Sequence, residues 1–215
     1  MILYSGPLSL FTGKVRIALD EKQIAYDLES VPFSRAGYAP KHPKVLELNP
    51  KQQVPVLVDG DVAIYDSTII LEYLEDTHPA PPLYPRDPGR RAVCRVAEAA
   101  ADEILFPHVL ELIREVFYKP DGAGRDETSV AEARSGIAAH YGGLERRLGE
   151  QPFLCGELTV ADIGYFMTIT FATSLGAGLG EEHPGLHAWY GRLLGRPAFA
   201  REMERLMSSS RALGS

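Results

Sequence analysis

The chain has 215 residues, of which 45% are hydrophobic and 24% are charged, and its formal net charge is −7. This balance is typical of a globular protein with one large domain or two small ones. The sequence contains no basic run or arm, and no apolar stretch reaches the length of a membrane span. Neither nucleic acid nor a membrane is therefore expected as a partner.

The first part of the chain alternates strand and helix patterns. ILYS is a short apolar strand, GKVRIALDEKQ has helical spacing, YDLESVPF is a second strand and KVLELNP is a short helix. VPVLVDGDVAIY predicts a β-hairpin with Asp59-Gly60 as its turn signal. DSTIILEYLEDTHP predicts a helix capped by Asp66 or Ser67. The order βαβ, α, ββα indicates a small mixed sheet with helices on its faces.

The remainder of the chain has helical patterns and no strand pattern. APPLYPRDPG holds four prolines in ten residues, which predicts a linker at residues 80–87. Helical spacing follows over 88–118, 127–149, a segment that begins near Thr159, 184–195 and 198–208. The sequence therefore predicts an α/β domain at residues 1–79 and an all-α domain at residues 88–215.

The cysteines and histidines provide no metal or redox motif. Cys94 and Cys155 lack the spacing of a metal or dithiol site, and the six histidines do not cluster at ligand spacing. One disulfide between the two cysteines is allowed, but two buried thiols in a reducing cytoplasm is the favoured interpretation. Met1 leads directly into an apolar strand without a basic segment, so a secretory leader is not expected and a cytoplasmic location is predicted.

Two short motifs could bind a ligand or could be purely structural. In QVPVL, a cis bond before Pro55 would turn the backbone N–H and C=O of Val54 outward, where they could pair with an extended peptide. On the residues alone an ordinary trans proline is favoured. In YDSTIILEYL, Asp66 could hold an ammonium, while Ser67 and the first N–H groups of the helix could hold a carboxylate. Simple helix capping explains the same residues and is locally favoured.

A third motif, GELTVADIGYF, is a folding signal. Thr159 stands at the N-cap of the predicted helix and Asp162 at its third position, which is an aspartate version of the capping box. Leu158 and Ile163 occupy the positions of a hydrophobic staple. The motif therefore predicts a helix start and not a catalytic group.

The combination of these motifs resembles the cytosolic glutathione transferases. The resemblance runs through the whole chain in order, from GPLSLFTGKVRIAL through NPKQQVPVL, YDSTIILEYLED and GELTVADIGYF to HPGLHAWYGRLLGRPAFA. It implies a thioredoxin-like N-terminal domain that binds glutathione, followed by an all-helical domain that completes a pocket for a small hydrophobic electrophile. It also implies glutathione as co-substrate without a prosthetic group, and a homodimer.

The resemblance assigns roles to individual residues. It makes a cis Val54-Pro55 bond expected, with Val54 pairing the cysteinyl backbone of glutathione. Asp66 and Ser67 would hold the γ-glutamyl amine and carboxylate, although the usual acid of this pair is glutamate and not aspartate. Gln53 fits the glycyl end, and Lys41 would add a charge there.

Ser9 falls where the serine-type classes, zeta and theta, carry their catalytic serine. The stretch SLFT has two hydroxyls and no thiol, which argues against dithiol chemistry. Tyr4 is the competing thiol activator, and Thr12 is the next candidate; Ser9 is favoured because a hydroxyl at a helix start has the better electrostatics. Ser9 would donate a hydrogen bond to the glutathione thiolate, which is the attacking group.

Two further expectations concern the rest of the site. Phe106 and Tyr118, with His108 and Glu111 also considered, are predicted to line the co-substrate pocket. The reaction is predicted to be conjugation or a glutathione-dependent isomerisation.

The alternative function is a non-catalytic interaction module with the same fold, which fold alone does not exclude. The complete set of glutathione-site residues favours the enzyme.

Overall fold

A computed structural model describes residues 1–34, 36–39 and 41–214. The chain divides into two compact units. One comprises Met1–Leu83 together with the segment that begins at Gly195, and the other is Tyr84–Leu194. The predicted domain ranges place that last segment in the second domain, whereas its contacts are with the first unit. The ranges themselves stay a prediction.

The first unit has the predicted order of strands and helices. Its elements before Leu83 are β1 (Ile2–Ser5), α1 (Leu10–Glu21), β2 (Asp27–Ser30), α2 (Pro43–Leu48), β3 (Val56–Asp59), β4 (Val62–Tyr65) and α3 (Ser67–Thr77). The four strands form one sheet in the order β2-β1-β3-β4. Strand β2 is parallel to β1, while β3 is antiparallel to both β1 and β4. This mixed sheet is the thioredoxin-like arrangement that the resemblance implied, so the predicted fold class is confirmed.

The core of this unit follows from the apolar residues of the strands and of α1. Leu3, Val56 and Leu57 are fully buried in the two central strands, and Ile17 and Leu19 are fully buried on α1. The predicted hairpin forms with Asp59 opposite Val62, and Gly60 adopts φ 57°, which glycine tolerates without a Cβ penalty. Burial of these side chains fixes the register of the strands.

The second unit is helical, as the sequence predicts. It contains α4 (Pro88–Ala100), α5 (Phe106–Leu112), α6 (Glu127–Leu148), α7 (Val160–Ser174) and α8 (Pro184–Leu194). The predicted continuous pattern over 88–118 is interrupted by two π-helical turns, Ala101–Leu105 and Ile113–Phe117, which lie before and after α5. Such turns are uncommon and often occur at functional sites.

The buried Asp162 carboxylate organises the start of α7. Its oxygens accept hydrogen bonds from the Thr159 backbone N–H, the Leu154 backbone N–H and the Trp189 indole N–H, each at 2.9 Å. Burial raises the pKa of Asp162, and these donated hydrogen bonds oppose the rise. The predicted capping box at Thr159 and Asp162 is confirmed.

A buried ion pair joins α1 to the last helix, α9 (Pro197–Gly214). The Arg16 guanidinium donates from Nε to Glu202 Oε2 at 2.8 Å and from Nη2 to Glu202 Oε1, and both side chains are almost completely buried. Arg16 Nη1 also donates to the carbonyl oxygen of Gly6 at 3.4 Å and to the Ser5 hydroxyl. The pair therefore connects the C-terminal helix to the loop that follows β1.

We expect Glu202→Leu to lower the free energy of unfolding by about 3–5 kcal/mol, because it leaves the Arg16 charge buried without its carboxylate. The double variant Arg16→Met/Glu202→Leu should lose less, since it removes both charges. The measurement is urea denaturation followed by circular dichroism. As a control, Arg201→Met breaks the more exposed pair with Asp20 and should cost no more than about 1 kcal/mol. A double variant less stable than Glu202→Leu would contradict this account.

Candidate active site

Three segments meet at one edge of the sheet in the first unit. The register pairs Tyr4 near the end of β1 with Val56 at the start of β3, and pairs Val56 with Tyr65 at the end of β4. The loop after β1, the loop before β3 and the start of α3 therefore lie at the same edge. These segments carry the predicted residues Ser9, Gln53, Val54, Asp66 and Ser67.

Ser9 is the N-cap of α1. Its backbone is extended, its side-chain oxygen accepts the Thr12 backbone N–H at 3.2 Å, and it is 8% exposed. A serine hydroxyl has one donor proton in addition to its acceptor lone pairs, so capping leaves that proton available. The hydroxyl also lies at the positive end of a helix of 12 residues. In this position the Ser9 hydroxyl can donate a hydrogen bond to an anion.

Thr12 and Tyr4, the two alternative candidates for the thiol activator, are both buried and packed against other parts of the first unit. Thr12 is fully buried, and its hydroxyl oxygen accepts the Gly6 backbone N–H at 3.4 Å, which braces the turn before α1. Tyr4 is buried in a core cluster with Val45 and Val56, and the His42 ring lies 5.3 Å from its ring. Thr12 therefore supports the loop that carries Ser9, whereas Tyr4 is part of the core of the unit.

The loop before β3 is held by Asn49. The Asn49 side chain donates to the Gln53 carbonyl oxygen at 2.7 Å and accepts the Lys51 backbone N–H at 2.9 Å. The Val54-Pro55 peptide bond is cis, as the resemblance implied and against the expectation from the residues alone. Gln53 is exposed and Val54 is half-buried, so both are accessible at this edge.

Asp66 caps α3, which decides between the two predicted caps. Its Oδ1 accepts the Thr68 backbone N–H at 3.1 Å, and its backbone has φ 78°. Ser67, the first residue of α3, is buried. The second oxygen of Asp66 lies 3.2 Å from Lys51 Nζ, and these side chains are 39% and 56% exposed. An ion pair this exposed contributes about 0–1 kcal/mol, so a ligand cation can replace Lys51 at small cost.

Sequence reasoning did not identify Lys51 or Arg16 as part of this region. Lys51 reaches Asp66 only because the hairpin register brings the NPKQQVP loop beside the end of β4. Arg16 holds the Gly6 carbonyl oxygen, and its carboxylate partner is 186 residues further along the chain. The Lys51 contact follows from the predicted hairpin, whereas no local pattern indicates the Arg16 partner.

The remaining predicted site residues are Lys41, Phe106 and Tyr118. Lys41 is exposed and precedes His42, whose ring nitrogen caps α2. Phe106 begins α5 in the second unit, and Tyr118 follows the second π-helical turn with 45% of its surface exposed. The predicted co-substrate pocket at Phe106 and Tyr118 stays a prediction.

The described part of the chain lacks two features that other functions would require. Among residues 1–34, 36–39 and 41–214, no group of three or more His, Cys, Asp or Glu side chains is arranged to hold a metal ion. Within the same ranges, no helix combines the length and apolar character needed to cross a bilayer. Neither observation supplies a second candidate site.

Both parts of the chain match models of one family. Residues 3–82 match the model described as "Glutathione S-transferase, N-terminal domain". Residues 127–192 match the model described as "Glutathione S-transferase, C-terminal domain". The first match contains the sheet edge described above, and the second contains α6, α7 and most of α8.

Individual proteins of the same family are also similar to this chain. A probable maleylacetoacetate isomerase of Vibrio cholerae is 32% identical over 206 residues, which cover 94% of each chain. A glutathione S-transferase of Methylobacterium radiotolerans, solved in complex with glutathione sulfonate, is 30% identical with a TM-score of 0.78, covering 94% of this chain and 93% of that one. A stringent starvation protein A homolog of Coxiella burnetii is 37% identical over 117 residues, and there the chain spans about half of the relative's length, 52%.

The chain therefore belongs to the glutathione S-transferase family. The predicted class of enzyme, a glutathione S-transferase with transferase or isomerase activity, is confirmed by these matches. The serine-type subclass and the roles of the individual site residues stay predictions.

Proposed function

We propose that the chain activates glutathione as a thiolate through the Ser9 hydroxyl and transfers it to a small hydrophobic electrophile. The observation that carries the proposal is the position of Ser9. Its hydroxyl caps α1, retains a proton to donate, and stands at the sheet edge shared with Val54 and Asp66. Because Ser9 is a donor, the sulfur of glutathione is the nucleophile.

A hydrogen bond from Ser9 and the start of α1 can stabilise the thiolate enough to make it the major form at neutral pH. A free thiol has a pKa of about 8.5 and is only a few per cent thiolate at neutral pH. Lowering that pKa by about 2 units makes thiolate the major form and requires about 2.7 kcal/mol of preferential stabilisation. A hydrogen bond to a charged acceptor contributes about 1.5–3 kcal/mol, and a helix N-terminus adds about 0.3–1 kcal/mol. Ser9 and the start of α1 together are sufficient.

The amino-acid head of glutathione would bind at the start of α3. The Asp66 carboxylate would take the α-ammonium in place of Lys51, whose present pairing is exposed and weak. Ser67 and the first N–H groups of α3, a helix of 11 residues, would take the α-carboxylate. The exchange keeps Asp66 paired with a cation in both the free and the bound state.

The remainder of the tripeptide would follow the loop before β3. The half-buried Val54 would pair its backbone with the cysteinyl residue, in the manner of an added strand. The exposed Gln53 and Lys41 would meet the glycyl end, where a carboxylate requires a donor or a positive charge. Phe106 and Tyr118 would line the pocket of the electrophile.

Two relatives support the choice of chemistry. The Methylobacterium enzyme in complex with glutathione sulfonate supports glutathione as the co-substrate. The probable maleylacetoacetate isomerase, similar along 94% of this chain, supports isomerisation as a reaction class beside conjugation. No prosthetic group is needed for either reaction, because the thiolate forms and attacks directly. A cytoplasmic location, where glutathione is reduced, fits this use of the thiol.

We expect Ser9→Ala to raise the pKa of the bound glutathione thiol toward the free value of about 8.5. Turnover at neutral pH should fall roughly tenfold or more, in proportion to the lost thiolate, while the affinity for glutathione at pH 7 should fall only about fourfold, the loss linked to a rise of the bound thiol pKa from about 6.5 to about 8.5. The measurement is the ultraviolet absorbance of the thiolate, titrated with pH on the bound complex. Loss of the helix cap should cost about 1 kcal/mol of stability.

Ser9→Thr is the matched control, because it keeps both the hydroxyl and the cap. It should retain a lowered thiol pKa. A thiol pKa that is unchanged in Ser9→Ala would move the activating role to Tyr4 or Thr12. Failure of the wild type to bind glutathione would favour the interaction-module alternative.

We expect Asp66→Asn to weaken glutathione binding about tenfold, which corresponds to 1.4 kcal/mol. Asparagine is as good an N-cap as aspartate, so α3 should remain intact and only the negative charge is lost. The measurement is isothermal titration calorimetry. Glutaryl-cysteinylglycine, which is glutathione without its α-amine, is the matched ligand and should bind the wild type and the variant equally well. An equal loss for both ligands would mean that Asp66 does not recognise the ammonium.

The proposed oligomer is a homodimer, and apolar side chains exposed on both units support it. Val93 and Val96 lie on one face of α4 and are 55% and 65% exposed, and Ile69 on α3 is 53% exposed. The two valines together form an apolar surface on one helix face that a partner can cover. Because the family resemblance implies a dimer, a second copy of this chain is the proposed partner.

We expect Val96→Glu to shift the protein from dimer to monomer, because it places a charge in the covered apolar face. Size-exclusion chromatography with light scattering over a range of concentrations measures the change. Met207→Glu, at a residue 49% exposed on α9, is the control and should leave the dimer intact. A wild type that is monomeric at all concentrations, or equal dissociation in both variants, would contradict the proposal.

A further inference from the structure

The two cysteines of the second unit are neighbours. Cys94 lies on α4 and is completely buried, whereas Cys155 is half-buried in the loop before α7, and both are free thiols. Arg90, one turn before Cys94 on the same helix, donates from Nη2 to the Cys155 carbonyl oxygen at 3.3 Å. The Cys94 and Cys155 side chains interact, and each shifts the pKa of the other. The Arg90 contact and this interaction place the two thiols beside each other.

The loop that carries Cys155 is held on both sides of the cysteine. The preceding residue, Leu154, donates its backbone N–H to the buried Asp162 carboxylate at 2.9 Å. The following residue, Gly156, donates its N–H to the Phe153 carbonyl oxygen at 3.0 Å and has φ 90°, a conformation that favours glycine. These bonds fix Cys155 against α4 without any ligand.

The surroundings give the two thiols different roles. A hydrogen bond from the Cys94 thiol lowers the pKa of Cys155 against the effect of burial, and the neighbouring Thr159 side chain adds to the lowering. The same Cys94–Cys155 hydrogen bond, together with burial, raises the pKa of Cys94. Cys155 is therefore the thiolate that an oxidant can reach, and Cys94 is the protonated thiol behind it.

We propose that Cys94 and Cys155 form a reversible disulfide when a hydroperoxide oxidises Cys155. Neither cysteine is among the residues assigned to glutathione, and the proposal does not depend on glutathione binding. The sequence allows this disulfide but contains no motif that indicates it, because the two cysteines lie far apart along the chain and are brought together only by the packing of the loop on α4.

The disulfide forms in two steps. The Cys155 thiolate attacks one oxygen of the hydroperoxide, the O–O bond breaks, and the leaving oxygen takes a proton, which gives Cys155 sulfenic acid and water or an alcohol. The Cys94 sulfur then attacks the sulfenyl sulfur, the S–O bond breaks, and the departing hydroxide takes the Cys94 proton to form water. Two thiols are oxidised by two electrons, and the hydroperoxide is reduced. Once Cys155 is a sulfenic acid, the thiolate that held the Cys94 proton is gone, so Cys94 is released for attack.

The test is limited oxidation of the fully reduced protein with hydrogen peroxide. After brief exposure and alkylation with N-ethylmaleimide under denaturing conditions, the wild type should take up no maleimide and should be lighter by two hydrogen atoms. Tryptic peptides containing Cys94 and Cys155 should be joined, and a thiol reductant should restore both alkylation sites. Peptide mapping of the wild type is decisive even if a cysteine variant folds poorly.

The single variants separate the two roles. In Cys94→Ser, Cys155 should accumulate as sulfenic acid and be trapped by dimedone. In Cys155→Ser, Cys94 should stay unmodified at the same peroxide dose, because it is buried and protonated. Two alkylated cysteines in the treated wild type, or a disulfide only between separate molecules, would overturn the proposal.

Discussion

The loop that carries Ser9 depends on a buried charge, Arg16, that lies on the helix which Ser9 caps. Arg16 holds the Gly6 carbonyl oxygen, and its own charge is balanced by Glu202 on α9. Burying both charges is costly and is offset only when the geometry satisfies the donors of the guanidinium. Here three of its nitrogens donate, so the pair specifies one position for the loop as well as one position for α9. The C-terminal helix is therefore part of the framework of the candidate site.

The candidate site is assembled mainly from helix starts and backbone groups. Ser9 begins α1 and Asp66 begins α3, and the register of β1, β3 and β4 brings these two starts to the same sheet edge. Each cap accepts a backbone N–H of its own helix and retains further hydrogen-bonding capacity, in the Ser9 proton and in the second Asp66 oxygen. The interpretations of these residues as caps and as ligand groups are therefore compatible. In the proposed complex, the thiolate and the α-carboxylate of glutathione would each meet the positive end of a helix.

Features that depend on residues close in sequence could be predicted. The order of elements in the first unit, the hairpin at Gly60 and the cap of α7 follow from turn residues, alternation and capping patterns that extend over a few positions. The features that were missed depend on distant residues or on packing. The Arg16–Glu202 pair has no local pattern, and the two π-helical turns within 88–118 leave the helical spacing nearly continuous. The cis Val54-Pro55 bond was expected only through the resemblance, since residue type alone favours trans.

A hydroxyl at the start of α1, in place of a thiol, limits the reactions that the first unit can carry out. A serine can donate to the glutathione thiolate but forms no disulfide with it, so the sulfur stays available to attack an electrophile. A cysteine at the same helix start would itself ionise and would compete as a nucleophile. The two thiols of this chain lie instead in the second unit, where they are hydrogen-bonded to each other. The proposed thiol oxidation and the proposed thiolate transfer would therefore involve different sulfur atoms, and oxidation of the cysteine pair would leave the Ser9 hydroxyl chemically unchanged.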